Sequence, residues 1–68
     1  MNKFAQRLKE LRLDKGLKQS ELATLTGLSQ GAIHLWECNL RTPNIDAAIK
    51  LARFFNVTVD YIVGNSES

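Results

Sequence analysis

Between Ala23 and Ile33 the chain carries a glycine-containing link that only a sharp change of direction satisfies. Upstream of it, Leu22 and Leu25 recur at helical spacing over residues 19–26 and read as one inward face. Gly27 then supplies a residue free to take positive φ, and Ser29 is suited to N-cap a second helix from Gln30 to about Cys38. Two short helices joined by Gly27-Leu28-Ser29 follow from this. Small Ala23 lets the two backbones approach, while Leu22, Leu28 and Ile33 are expected to lock the crossing from inside. Ile33 and Trp36 face inward on the second of these helices, with His34 and Leu35 pointing elsewhere.

The flanking segments read as helices too. Phe4, Leu8 and Leu11 form an i, i+4, i+7 stripe, with Asn2 as its N-cap and Gly16 as its stop. Residues 39–44 contain Arg41-Thr42-Pro43, and proline disfavours helix at the residue before it, so this stretch is a loop. Asn44 N-caps a helix to about Phe55, with Ile45, Ile49, Ala52 and either Phe54 or Phe55 expected inside and Asn56 at its end. Thr58 caps a last helical turn through Val63, stopped by Gly64, and residues 65–68 are expected to fray. The β-branched run Val57-Thr58-Val59 has no partner run with a hairpin signal. The reading is an all-α, compact five-helix domain over residues 1–64, followed by a tail over 65–68.

Composition narrows the function classes. With 68 residues, one small domain is all the chain can build, and 44% hydrophobic content is ordinary for a globule. No apolar run approaches the ~18 residues of a membrane span. Residues 1–7 carry charge without a following apolar core or cleavage site, so no signal peptide is read and the cytoplasm is the expected compartment. Cys38 is the single cysteine, which removes intrachain disulfides and leaves packing, helped by self-association, as the source of stability. The net charge of +2 is uneven: residues 1–18 carry six bases and two acids, and the remainder is net negative. Such an end is compatible with a polyanionic partner and equally with a solvated face.

The order helix, glycine turn, helix over residues 19–38 is that of a helix-turn-helix, whose second helix has a width that fits the major groove of B-form DNA. Arg7-Leu8-Lys9-Glu10-Leu11-Arg12, Lys15-Gly16-Leu17-Lys18-Gln19-Ser20-Glu21-Leu22-Ala23, Gly27-Leu28-Ser29-Gln30 and Ile33 through Trp36-Glu37 resemble the phage repressor and Cro-like helix-turn-helix family of XRE-type transcriptional regulators. The resemblance continues through Arg41-Thr42-Pro43, Leu51-Ala52 and Val57-Thr58-Val59-Asp60-Tyr61. It implies a DNA-binding domain, a transcriptional repressor and a homodimer on a palindromic operator. Gln30, Gly31, Ala32, His34 and Leu35 then take the groove-facing positions, Gln30 being suited to grip adenine through two hydrogen bonds. Lys18, Gln19, Ser29, Asn39 and Arg41 take phosphate-contact positions, with Gln19 also bracing Gln30. Arg12 and Glu37 match a structural ion pair, and Val59, Tyr61, Ile62 and Val63 match the place where relatives dimerise.

Five positions depart from the family pattern. Lys18 stands where a small N-capping residue is usual; Gly31 and Leu35 replace longer polar side chains, so shape and apolar contact carry more of the recognition; and Cys38-Asn39 replace a polar residue and glycine. His34 and Cys38 lie four apart on one helix, but two ligands do not make a zinc site, and Cys38 is expected to be a half-buried free thiol. No nucleophile elbow, P-loop or paired carboxylates are present, so the chain does not read as an enzyme, and no metal, cofactor or small-molecule substrate is expected. The rival readings are an antitoxin-like or scaffold module that turns the same fold to a protein partner, and the DNA-binding head of a longer repressor.

Overall fold

The computed structural model describes residues 3–65 and consists, among these, of five helices in the order α1 (Phe4–Asp14), α2 (Gln19–Thr26), α3 (Gln30–Glu37), α4 (Ile45–Phe55) and α5 (Val59–Val63). The all-α, five-helix expectation is met. No helix among the described residues is long and apolar enough to cross a membrane.

Local chemistry sets the boundaries. Ser29 Oγ, Asn44 Oδ1 and Thr58 Oγ1 accept from the backbone N–H groups of Ala32, Ala47 and Tyr61, capping α3, α4 and α5. Lysine has no acceptor to offer, so at the start of α2 only the return half of a capping box forms: Glu21 Oε1 accepts from the Lys18 N–H at 2.8 Å. Lys3 occupies the cap position of α1 but its side chain does not cap the helix, and the expected cap Asn2 lies outside the described residues, as does the tail beyond residue 65. At the far ends, Gly27 and Asn56 take left-handed φ of 72° and 57°, and the chain folds back so that Leu28 and Val57 donate to the carbonyls of Ala23 and Ala52.

Each helix contributes one large aliphatic to a common centre. Leu8, Leu22, Ile33, Leu51 and Ile62 are all fully buried. Phe4 meets Trp36 edge to face at 6.2 Å beside them. Around this centre α1 packs on α3 and α5, α2 on α3 and α4, and α4 on α5.

Several inward assignments are corrected. Leu25 is 59% exposed and Ile45 64% exposed. The face of α2 that turns inward is Leu22 with Ala23, and that of α4 is Ala47, Ala48, Leu51, Ala52 and Phe55. Alanines win these positions because the helices cross closely, and larger side chains there would hold them apart. Cys38 is exposed, because α3 ends one residue before it with Cys38 on the solvent side. Ile62 and Val63, expected at the surface of the bundle, lie in its core.

Candidate functional site

The second helix of the crossing, α3, is held from behind by apolar packing and by one ion pair. Ile33 and Trp36 enter the core. One turn on, Glu37 receives both arms of the Arg12 guanidinium, Nε at 2.7 Å and Nη2 at 2.9 Å, with side chains only 10% and 4% exposed for arginine and glutamate. Arg12 Nη1 spends its remaining reach on the Leu17 carbonyl at 2.7 Å, and Gln19 Nε2 donates to Glu37 Oε1 at 3.2 Å. Arg12 therefore joins α1, the link before α2, and α3. Its pKa is raised, by the hydrogen bond to Glu37 first, against the opposing effect of burial and with the Glu37 charge reinforcing it. Gln19 braces Glu37 in this arrangement, and the expected brace to Gln30 is not formed among the described residues.

What α3 turns outward is different in kind. Gln30, Gly31, His34 and Cys38 are exposed, and Ala32 and Leu35 are half-buried at the margins of the face. Not one of these side chains is an acid, a lysine or an arginine. The amide of Gln30 has no partner among the described residues. Ser29 caps the helix as an acceptor, which leaves its hydroxyl hydrogen available to donate outward. Gly31 sits in ordinary helical backbone, and a Cβ built there would meet nothing nearer than Ser29 Oγ at 3.6 Å. The fold does not need a glycine at this position. His34 and Cys38 touch, Nε2 to Sγ at 3.6 Å, and no group of three or more metal-ligating side chains occurs among the described residues.

The flanks carry the polar reach. Lys18 lies exposed at the start of α2, and Asn39, exposed and left-handed at φ 60°, follows α3. Arg41 lines a shallow depression with Thr42, Asn44, Ala32 and Trp36, which brings the loop after α3 beside that helix. Lys50 of α4 borders the neighbouring depression with Ser29 and Ala32. Lys50 and Thr42 were not singled out from the sequence, because nothing local tells that α4 and the loop approach α3.

Of the residues expected at a dimer face, Val59 and Tyr61 present surface, whereas Ile62 and Val63 are enclosed. Tyr61 borders an open apolar depression with Asn56, Val57 and Thr58. Behind it stands a residue that sequence reasoning passed over. Arg7 is buried, its guanidinium lies 4.2 Å from the centre of the Tyr61 ring, and its Nη1 donates to the Tyr61 carbonyl. The signal was available in its place on the apolar side of α1, between Phe4 and Leu8.

Comparison with known proteins adds an independent finding. Residues 8–62 match the Helix-turn-helix family. Among similar proteins are the HTH-type transcriptional activator BcrR of Enterococcus faecalis, 34% identical over 94% of this chain and 31% of that protein, and the HTH-type transcriptional regulator ImmR of Bacillus subtilis, 34% identical over 94% of this chain and 50% of that protein. The cryptic phage CTXphi transcriptional repressor RstR of Vibrio cholerae is 28% identical over 96% of this chain and 59% of its own length. The chain thus spans between 31% and 59% of the length of these three relatives.

Proposed function

This chain belongs to the helix-turn-helix family matched by its residues 8–62, and on that premise we propose that it is a DNA-binding regulator of transcription, a repressor that reads a palindromic operator as a homodimer in the cytoplasm. The observation that carries the reading is the contrast between the two sides of α3. Its back is fixed by Ile33, Trp36 and the Arg12–Glu37 pair, and its front carries no acid, lysine or arginine, with Arg41 in the adjoining loop and Lys18 exposed at the start of α2. A helix about 10–12 Å across enters a major groove of about 12 Å, with flanking groups directed at the two phosphate walls.

The roles divide by chemistry. Lys18, Gln19, Ser29, Asn39 and Arg41 hold phosphates through charge or single hydrogen bonds, which fixes register without reading sequence. Gln30 reads a base, its amide presenting one donor and one acceptor edge to adenine, and Gly31, Ala32, His34 and Leu35 shape the rest of the contact. Arg12 and Glu37 keep α3 at its angle. Two copies meeting through Val59 and Tyr61 place two α3 helices on one face of the duplex. Each copy measures 27 × 23 × 20 Å, a size compatible with half-sites about 34 Å apart. Repression then needs only occupancy of the operator.

Gly31 separates fold from function. Gly31→Ala is expected to raise stability by up to about 1 kcal/mol, since helical glycine is that much less favourable than alanine, and to weaken operator binding by keeping the backbone away from the groove. Thermal melts together with titrations on operator DNA check both halves; a stabilised variant with unchanged affinity removes Gly31 from the contact.

The decisive test selects binding sites for the purified chain from a random duplex pool, then weighs the complex by analytical ultracentrifugation. The expected result is an enriched palindrome bound by two chains, with affinity falling steeply as salt rises. No enrichment would favour the protein-partner reading, and one chain on a two-half-site operator would remove the homodimer. A reporter driven from a promoter overlapping the operator tests the sign: transcription falls for a repressor and rises for an activator.

A further inference from the structure

We propose that Leu35 reads the 5-methyl group of a thymine, so that part of the operator's sequence is recognised by apolar contact alone. This rests on the DNA-reading role of α3 and specifies what that face recognises.

Leu35 has no evident job inside the protein. Ala32 and Leu28 are partly buried and pack against the core, as do five other hydrophobic residues, whereas Leu35 is half-buried and is not among those packed there. Its place on α3 explains this. Successive residues turn by about 100°, so Ile33 and Trp36 define the inward side, Gly31 and Cys38 fall opposite them, and Leu35 and His34 flank that outward ridge. Leu35 is therefore a half-buried, branched aliphatic side chain set one turn from a glycine, on the flank of the outward ridge.

The chemistry of the major groove offers such a group one partner. Every base-pair edge there displays hydrogen-bond donors and acceptors, which leucine can only desolvate at a cost, except at thymine, whose C5-methyl is apolar. The absence of a Cβ at Gly31 deepens the approach, since nothing inside the protein requires glycine there. Gln30 lies one turn and more away on the other side of the ridge, so amide and aliphatic readers address different base pairs. No lysine or arginine stands on α3 itself, so neither long cationic side chain competes with Leu35 from the same helix.

The test removes the methyl and nothing else. Each thymine of the selected operator is replaced in turn by deoxyuridine, and binding is compared for the wild-type chain and for Leu35→Ala, with Leu35→Met as an apolar control and a melt to establish that the variants fold. At one position per half-site, uracil is expected to weaken the wild type about fourfold, the equivalent of roughly 0.8 kcal/mol for one methylene-sized group. Leu35→Ala is expected to bind both operators equally, and Leu35→Met to retain a preference for thymine. Uracil tolerated at every position by the wild type overturns the inference and leaves the operator reading intact. A uracil penalty of the same size in wild type and Leu35→Ala overturns the assignment to Leu35. Failure to select any operator overturns the reading on which the inference stands, and the inference with it.

Discussion

Arg12→Ala is expected to lower the melting temperature by at least about 12 °C without removing any group that faces DNA. The guanidinium and the Glu37 carboxylate are both enclosed, and they satisfy each other through two hydrogen bonds. Removing the cation leaves a buried carboxylate with only the Gln19 amide to hold it. Breaking such a pair from one side costs on the order of 3 to 5 kcal/mol, and a domain of this size loses about 4 to 8 °C per kcal/mol. Arg12→Lys should recover little, because an ammonium cannot present the two-armed fork and also reach the Leu17 carbonyl. Replacing both partners by apolar residues, Arg12→Met with Glu37→Leu, should melt above either single variant, since no charge is then stranded. Raising the pH does not uncouple the pair through the arginine. A raised folded pKa contributes stability that is present below the ordinary arginine value and is lost only as pH climbs through the folded one. Circular dichroism melts measure all of this, and an Arg12→Ala curve within about 3 °C of wild type would show the pair to be dispensable.

Gln30→Ala is expected to do the reverse: full thermal stability, with operator affinity reduced roughly 5- to 150-fold. Gln30 is exposed, and its amide bonds to nothing among the described residues, so the fold has nothing to lose. A bidentate base contact is worth about 1 to 3 kcal/mol of discrimination. Binding to random DNA should hardly change, and a repeat selection with the variant should lose its preference at one base pair of each half-site. Equal weakening on operator and random DNA would move Gln30 from base reading to phosphate holding.

Much of the fold was legible because helix ends are written locally. Ser29, Asn44 and Thr58 each cap the helix that follows, and Gly27, Asn56 and Gly64 each take the left-handed turn that ends one. Those roles depend on a few neighbouring residues. Facing direction was less legible, for a physical reason. In α2 the pair Leu22 and Leu25 defines an apolar stripe as well as Leu22 and Ala23 does, and the choice rests on how near the neighbouring helix comes. The same contest in α4 puts Ala47 and Ala48 inside and Ile45 outside, contrary to the ranking of side chains by hydrophobicity alone. Ile62 and Val63 were misplaced because a five-residue terminal helix reads as surface until the groove that receives it is known. Of the candidate site, helical spacing turned His34 and Leu35 away from Ile33 and Trp36, whereas Gln30, Gly31 and Ala32 were assigned by the family resemblance. The approach of Arg41, Thr42 and Lys50 could not, because it depends on where a loop and a distant helix return.

One oxygen atom ties inheritance to geometry. Glu37 Oε1 accepts from Arg12 and from Gln19 together, so a proposed phosphate-holding residue and a buried scaffold residue share a single acceptor. Random variants collected for loss of the proposed repression in living cells would therefore include changes at the enclosed Arg12 and Glu37 among changes on the outward face of α3. Phenotype alone would draw both groups onto one map. The amount of protein surviving in the cell would separate them, because destabilised chains are cleared while groove variants accumulate as folded, idle copies.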